Sequence, residues 1–195
     1  IENASKFGVP VIVCINSFVT DTKKEIDIAL DKAIFHGASK AVVSNHWSLG
    51  GAGAVQLAQA VIDITSESKP SFKFLYPLSM SLEAKMAKIA CEIYGASGIK
   101  LSDEAREKLN CYIQQGFSDL PICMAKTHLS LSHDPTKKGA PTDFILPIRE
   151  VRASVGAGFI TPIVGEMTTM PGLNTRPCFF DITIDPITEI IDGLF

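Results

Sequence analysis

Three groups of residues in this 195-residue chain have types and spacings that could do chemistry. The first is a pair of loops. "NSFV" at 16–19 follows the apolar run "PVIVCI", and "NHWSLGG" at 45–51 follows "KAVVS". Each loop carries one large aromatic residue, Phe18 or the single tryptophan Trp47, a few residues past the run. Two rings on neighbouring loops can grip a flat heterocycle, because offset stacking contributes on the order of 1 kcal/mol beyond area burial. They can equally cap a sheet and fill a domain interface, which is the commoner use of aromatic side chains. The glycine run "LGGAG" at 49–53 opens a helix-like segment, and glycine there lets a ligand or a backbone approach closely.

The second group is "AKTHLSLSHDP", in which Lys126, Thr127 and His128 follow the run "PICMA". A lysine and a hydroxyl at a strand end can hold an anion, and a solvated loop accounts for them equally well. The third is "REVRASVGAGFI", where Arg149 and Arg152 precede Gly156 and Gly158. That pattern suits a carboxylate or phosphate nest, or a bulged strand whose glycines permit close packing. Of the other histidines, His46 could contact a ligand but has no visible catalytic partner. His36 ends a helix, where the dipole favours partial positive charge. His133 reads as structural or exposed.

Some chemistry is excluded. There is no GxxxxGK[ST] loop and no GxGxxG after a strand, so no complete phosphate-binding fingerprint exists in these residues. A nucleotide-binding enzyme of unrelated specificity would also need an acidic ribose-binding residue after such a fingerprint, and none follows. No CxxC or HExxH spacing supports a metal site. The five cysteines, Cys14, Cys91, Cys111, Cys123 and Cys178, are single, odd in number and mostly flanked by apolar residues. They are expected to be free, buried thiols. The formal net charge of −3 argues against a nucleic-acid partner. No apolar run is long enough to span a bilayer, and the first residues lack a signal-peptide pattern.

The elements that must position these residues form a strand–helix–strand–helix start. "PVIVCI" has the continuous apolar character of a strand buried on both faces. Thr22 and Glu25 have capping-box spacing, after which Ile26, Ala29, Leu30, Ala33 and Ile34 recur at helical intervals until Gly37. "KAVVS" is a second strand. The following helix is expected to bury Val55, Ala58, Val61 and Ile62. Helices between short apolar strands imply an α/β fold with a parallel, Rossmann-like sheet. "SESKPS" marks a boundary, giving a domain at 1–70 that carries the aromatic slot and a mixed region at 71–195. That region opens with two helices, capped by Ser81 and Ser102 and closed by Gly95 and Gly116. "PICMA", "FILPI", "GFITPIV" and "CFFDITI" follow as strands. In "MTTMPGL", Pro171 and Gly172 form a turn pair, with Met167 and Met170 in the core.

Taken together, "VCINSFVTDT", "SNHWSLGGAGAVQLA", "LPICMAKTHLSLSHDP", "VRASVGAGFITPIVGEMTTMPGL" and the terminal "RPCFFDI…GLF" resemble the formate–tetrahydrofolate ligase family. They cover nearly the whole chain in the expected order. The details are similar to the animal form, in which this ligase is the C-terminal domain of a multifunctional chain ending at "DGLF". The resemblance implies ATP-dependent formylation of tetrahydrofolate through formyl phosphate. MgATP and tetrahydrofolate would be substrates, with a monovalent cation as cofactor. It implies a fragment of a larger P-loop-type ligase, whose phosphate loop and formate and metal residues lie upstream. The upstream part of the polypeptide and further copies of the parent, in a homo-oligomer, are then the partners, in the cytoplasm or the mitochondrion. The family's aromatic pair matches Phe18 and Trp47. Asn16, Val19, Leu49, Gly50 and Gly51 line the same slot, with Val19 standing where the family often has proline. Lys126, Thr127 and Arg152 are the candidate anion-binding residues.

Overall fold

The computed structural model describes residues 1–67, 69, 71–165 and 175–193. A short helix α1 (Glu2–Ser5) precedes strand β1 (Ile12–Asn16), helix α2 (Lys23–Phe35) and strand β2 (Lys40–Ser44). A one-turn helix α3 (His46–Leu49) and a 3-10 turn (Gly50–Ala54) then lead into α4 (Val55–Glu67). β1 and β2 pair in parallel, from Ile12 opposite Lys40 to Asn16 opposite Ser44. The expected α/β start, with a parallel strand–helix unit, is the observed one.

Local chemistry sets these boundaries. α2 begins on a complete capping box: Glu25 N donates to Thr22 Oγ1 at 3.3 Å, and Thr22 N donates to Glu25 Oε2 at 2.9 Å. The same bonds, chiefly that from the Thr22 side chain, hold the Glu25 carboxyl below its usual range. Ile26, Ala29, Leu30 and Ala33 face inward, whereas Ile34 is exposed at the edge of the stripe. Gly37, at φ +92°, supplies the left-handed residue that ends the helix. Lys40 at the start of β2 bonds Asp63 of α4 at 2.6 Å, tying the second helix to the sheet.

Three expectations about burial are corrected. β1 is not buried on both faces: Cys14 and Asn16 are exposed, because the sheet has two strands among the described residues. α4 does not bury Val55, Ala58, Val61 and Ile62, which are exposed; it turns Ala60 and Ile64 inward, with Leu57 half-buried beside them. Residues 55, 58 and 62 have the same i, i+3, i+7 spacing as 57, 60 and 64. Periodicity therefore could not choose between the two stripes. The cysteines are free, but all five are exposed. Apolar neighbours in sequence are uninformative here, since adjacent strand residues point to opposite faces and adjacent helix residues lie about 100° apart.

The second region holds the main core. Helix α5 (Leu82–Tyr94), strand β3 (Gly98–Leu101), helix α6 (Asp103–Gln114) and strands β4 (Ile145–Ser154) and β5 (Phe159–Val164) build a mixed sheet in the order β3–β4–β5. β3 runs parallel to β4, and β5 antiparallel to it. Both helices start as expected: Ala84 N donates to Ser81 Oγ, and Ala105 N to Ser102 Oγ. Leu82, Met86, Ala105, Leu146, Val151 and Ile160 are completely buried in one cluster. Lys85 is buried with them; its ammonium donates to the Ser118 and Leu120 carbonyls at 2.7 and 3.1 Å, and burial lowers its pKa.

The strand expectations hold unevenly. "FILPI" and "GFITPIV" lie within or on β4 and β5. "PICMA" is an irregular edge segment, held parallel to β5 by Cys123 N donating to Ile160 O at 2.8 Å and Ala125 N to Pro162 O at 2.9 Å. In "CFFDITI", Cys178–Phe180 is a 3-10 turn; only β6 (Thr183–Ile184) is a strand, paired with β7 (Ile191–Asp192). β3 had no forecast. The expected turn at Pro171 and Gly172, and Met167 and Met170, lie outside the described residues, as do Ser68 and Pro70 of the expected boundary.

Candidate functional site

The carboxyl ends of β1 and β2 finish side by side, and parallel neighbours lie about 4.8 Å apart. Ser17 stitches the two exits together: its N and Oγ both donate to Ser44 O, at 2.9 and 3.3 Å. Phe18 comes next, two residues past the end of β1. Its backbone is fixed by a tight turn, with Phe18 N donating to Asp21 Oδ2 at 2.8 Å and Asp21 N to Phe18 O at 3.0 Å. The Phe18 ring is left 54% exposed, and Val19 is 95% exposed.

The β2 exit is held just as firmly. Asn45 N donates to Gly53 O at 3.3 Å, and Ser48 N and Leu49 N both donate to Asn45 O at 3.1 Å. A Cβ on Gly53 would meet the Asn45 carbonyl carbon, carbonyl oxygen and Oδ1 at 2.6–2.7 Å, so the loop closes only on glycine. Gly50 sits at φ +57°, where L residues are strained. Gly51 meets neither constraint, for a Cβ there would have open space. Trp47 rides on this pinned loop and is 79% exposed.

Phe18 and Trp47 thus leave one sheet edge from adjacent strands, both open to solvent on anchored backbones. The ring–ring contacts of the described residues lie elsewhere, so these two rings do not stack on one another. Asn16 is exposed at the strand end opposite Ser44, and Leu49, Gly50 and Gly51 are exposed on the Trp47 side. Cavities among the described residues belong to other elements: one of about 630 Å³ lies between α1, α2 and α5, one of about 610 Å³ lies against β6 and β7, and one of about 420 Å³ lies beside Phe74, Tyr76 and Tyr94.

The candidate anion residues are placed differently. Lys126 turns inward, donating to Thr127 O at 2.7 Å and to Ser130 O, and lies 5.1 Å from the Tyr94 ring centroid. Burial lowers its pKa. Thr127 Oγ1 accepts from Leu129 N at 3.2 Å, within the same loop. Arg152 forks onto Glu150 at 2.9 and 3.0 Å, and Lys108 adds a bond to that carboxylate at 3.0 Å. Those two cations hold the Glu150 carboxyl down to about 2. Lys126 and Arg152 thus each spend two donors on partners within the fold. The bulged-strand reading fits better: the β4–β5 register slips between Ile148 and Glu150. The glycines are not there for packing, since a Cβ on Gly156 or Gly158 would touch nothing; Gly158 instead supplies φ +76°. Among the described residues no cluster of His, Cys, Asp and Glu could hold a metal.

The family model described as formate–tetrahydrofolate ligase matches residues 1–195. This chain belongs to the formate–tetrahydrofolate ligase family. It is 57% identical over its full length to the cytoplasmic C-1-tetrahydrofolate synthase of Mus musculus, covering 21% of that protein. It is 56% identical to the mitochondrial monofunctional C1-tetrahydrofolate synthase of Homo sapiens, and 49% identical to the mitochondrial C-1-tetrahydrofolate synthase of Saccharomyces cerevisiae. In each of those two the match covers all of this chain and 20% of the relative. The chain therefore spans about a fifth of the length of the curated relatives it matches.

Sequence reasoning found the two rings of this ligase-family chain but missed what fixes them. Asp21 was visible only as part of a polar loop, because its carboxylate accepts from Phe18 N only once the turn has closed. Ser44 gave no sign, as a serine ending a strand carries no mark of burial.

Proposed function

We propose that this chain carries the tetrahydrofolate side of a formate–tetrahydrofolate ligase, with the ring system of the folate held between Phe18 and Trp47. The observation that carries the reading is the β1–β2 register. It sends both loops off one edge, while the Asp21 turn and the Gly53 contact keep each ring exposed instead of packed. An exposed indole on a rigid loop is stabilised by a ligand it stacks on, not by the fold. Asn16, Val19, Leu49, Gly50 and Gly51 form the rim of the slot.

In the proposed reaction a formate oxygen attacks the γ-phosphorus of MgATP, and the bond to ADP breaks, giving formyl phosphate. The N10 lone pair of tetrahydrofolate then attacks the formyl carbon. The carbon–oxygen bond to phosphate breaks, phosphate leaves, and N10 loses its proton. The contribution of this chain is orientation: stacking fixes the plane of the folate ring so that N10 meets the formyl carbon in a productive geometry. Charge neutralisation of the phosphoryl transfer falls to the phosphate loop and metal of a longer polypeptide, since these residues contain no GxxxxGK[ST] sequence. The division at residue 70, homo-oligomerisation of the parent, and a cytoplasmic or mitochondrial setting belong to the same proposal. By itself the chain acts as a binding module without turnover.

The test uses the single tryptophan as reporter. Tetrahydrofolate should quench Trp47 fluorescence saturably, and F18A should weaken that binding about five- to thirtyfold, the equivalent of roughly 1–2 kcal/mol of lost stacking and burial. Quenching that never saturates, or that F18A leaves unchanged, would refute the slot. Formylation of tetrahydrofolate by the isolated chain would refute the division of labour.

A further inference from the structure

Ser44 is 1% exposed, and its hydroxyl makes two contacts: Oγ lies 2.9 Å from His46 Nδ1 and 3.3 Å from the Gly53 carbonyl oxygen. A serine hydroxyl has one proton to donate, and the Gly53 carbonyl can only accept. Both contacts are hydrogen bonds under one assignment: Ser44 donates to Gly53 O, and His46 donates from Nδ1 to Ser44 Oγ. Gly53 O also accepts from Asn45 N, so the reverse, with Ser44 donating to Nδ1, would not orphan that carbonyl. It would instead set two oxygen lone pairs against each other at 3.3 Å with no proton between them. The relay therefore selects the Nδ1–H tautomer. In the neutral ring Nε2 is then a bare acceptor.

That acceptor stands beside the slot. The His46 ring is exposed, Nδ1 is turned toward buried Ser44, and Nε2 has no hydrogen-bond partner among the described residues. His46 and Trp47 are adjacent in α3, about 100° apart around the helix axis, so they meet a common ligand from different directions. The indole offers a face and the imidazole an edge. Resting on the slot reading above, we infer that His46 is a specificity-determining residue whose Nε2 accepts a hydrogen bond from an N–H or amino edge of the heterocycle stacked on Trp47. Ring edges bearing only carbonyls or bare nitrogens are disfavoured there, because acceptor would face acceptor.

Two substitutions separate this role from a structural one. In H46N the amide nitrogen keeps the donor to Ser44 but nothing reaches the ligand; in H46Q the amide is carried out toward the Nε2 position. By Trp47 quenching of the 195-residue chain, H46N should bind tetrahydrofolate about three- to tenfold more weakly with an unchanged melting midpoint. H46Q should recover part of the loss. H46N binding like the wild type would overturn the inference while F18A still showed the slot to be real; failure of the wild type to bind would bring down both. A second arm needs no variant: nitrogen-15 NMR of the wild-type chain should show His46 protonated on Nδ1, and an Nε2–H tautomer would overturn the relay.

Discussion

Gly53→Ala isolates the contact that keeps the Trp47 loop in place, and Gly51→Ala, two residues earlier, is its control. The added methyl at 53 would sit 2.6–2.7 Å from three Asn45 atoms, two of them in the backbone. Contacts that short against backbone force the 3-10 turn and the β2 exit apart, and overpacking of this kind costs about 1–3 kcal/mol. Separation also stretches the 3.3 Å bond from Asn45 N to Gly53 O, adding roughly 1 kcal/mol. Replacing glycine gains back up to about 1 kcal/mol in backbone entropy. The net expectation for G53A is a loss of about 1–3 kcal/mol, a factor of five or more in the folded population. G51A has open space and no left-handed φ, so it should be neutral or slightly stabilising. Urea unfolding followed by Trp47 fluorescence and by circular dichroism measures both. G53A should also shift the emission of the folded state, because Trp47 moves with its loop. Equal midpoints for G53A and G51A would show that the Gly53–Asn45 approach does not hold the loop.

Two further outcomes follow from charged groups in the second region. Glu150 has its folded pKa held at about 2, below the 4.5 of a free glutamate, first by Arg152 and then by Lys108. Its contribution is present in full above the unfolded value and is lost as the pH falls through the folded one. Acid unfolding of E150Q should accordingly show a shallower dependence between about pH 4.5 and 2 than the wild type, and identical slopes would contradict the assignment. Lys85 satisfies the Ser118 and Leu120 carbonyls from inside the core. K85M keeps the volume but orphans both acceptors and should lower stability by roughly 1–3 kcal/mol in a denaturant titration; a more stable variant would mean the ammonium is a net cost.

What could be read in advance was whatever rests on short-range spacing. Thr22 with Glu25, Ser81, Ser102 and the glycines that end helices announce themselves within four residues, and each does what its spacing promises. The parallel pairing of β1 and β2 followed from the helix between them. Facing was harder. α4 carries two apolar stripes of equal spacing, and tertiary contacts such as the Lys40–Asp63 pair set which one turns inward. β3 has four residues, with Lys100 among them, too little for a pattern to appear. In the site, exposure of the aromatics could be suspected from their loop setting. The inward turn of Lys126 and the buried hydroxyl of Ser44 depend on tertiary neighbours that no local pattern encodes.

The sandwich itself is tested most directly by intermolecular nuclear Overhauser effects between bound tetrahydrofolate and the aromatic protons of the chain. Contacts are expected from the pterin-ring protons to both the Phe18 ring and the Trp47 indole, with those ligand protons shifted upfield by the two ring currents. Contacts to neither ring, in a complex that demonstrably forms, would contradict the sandwich.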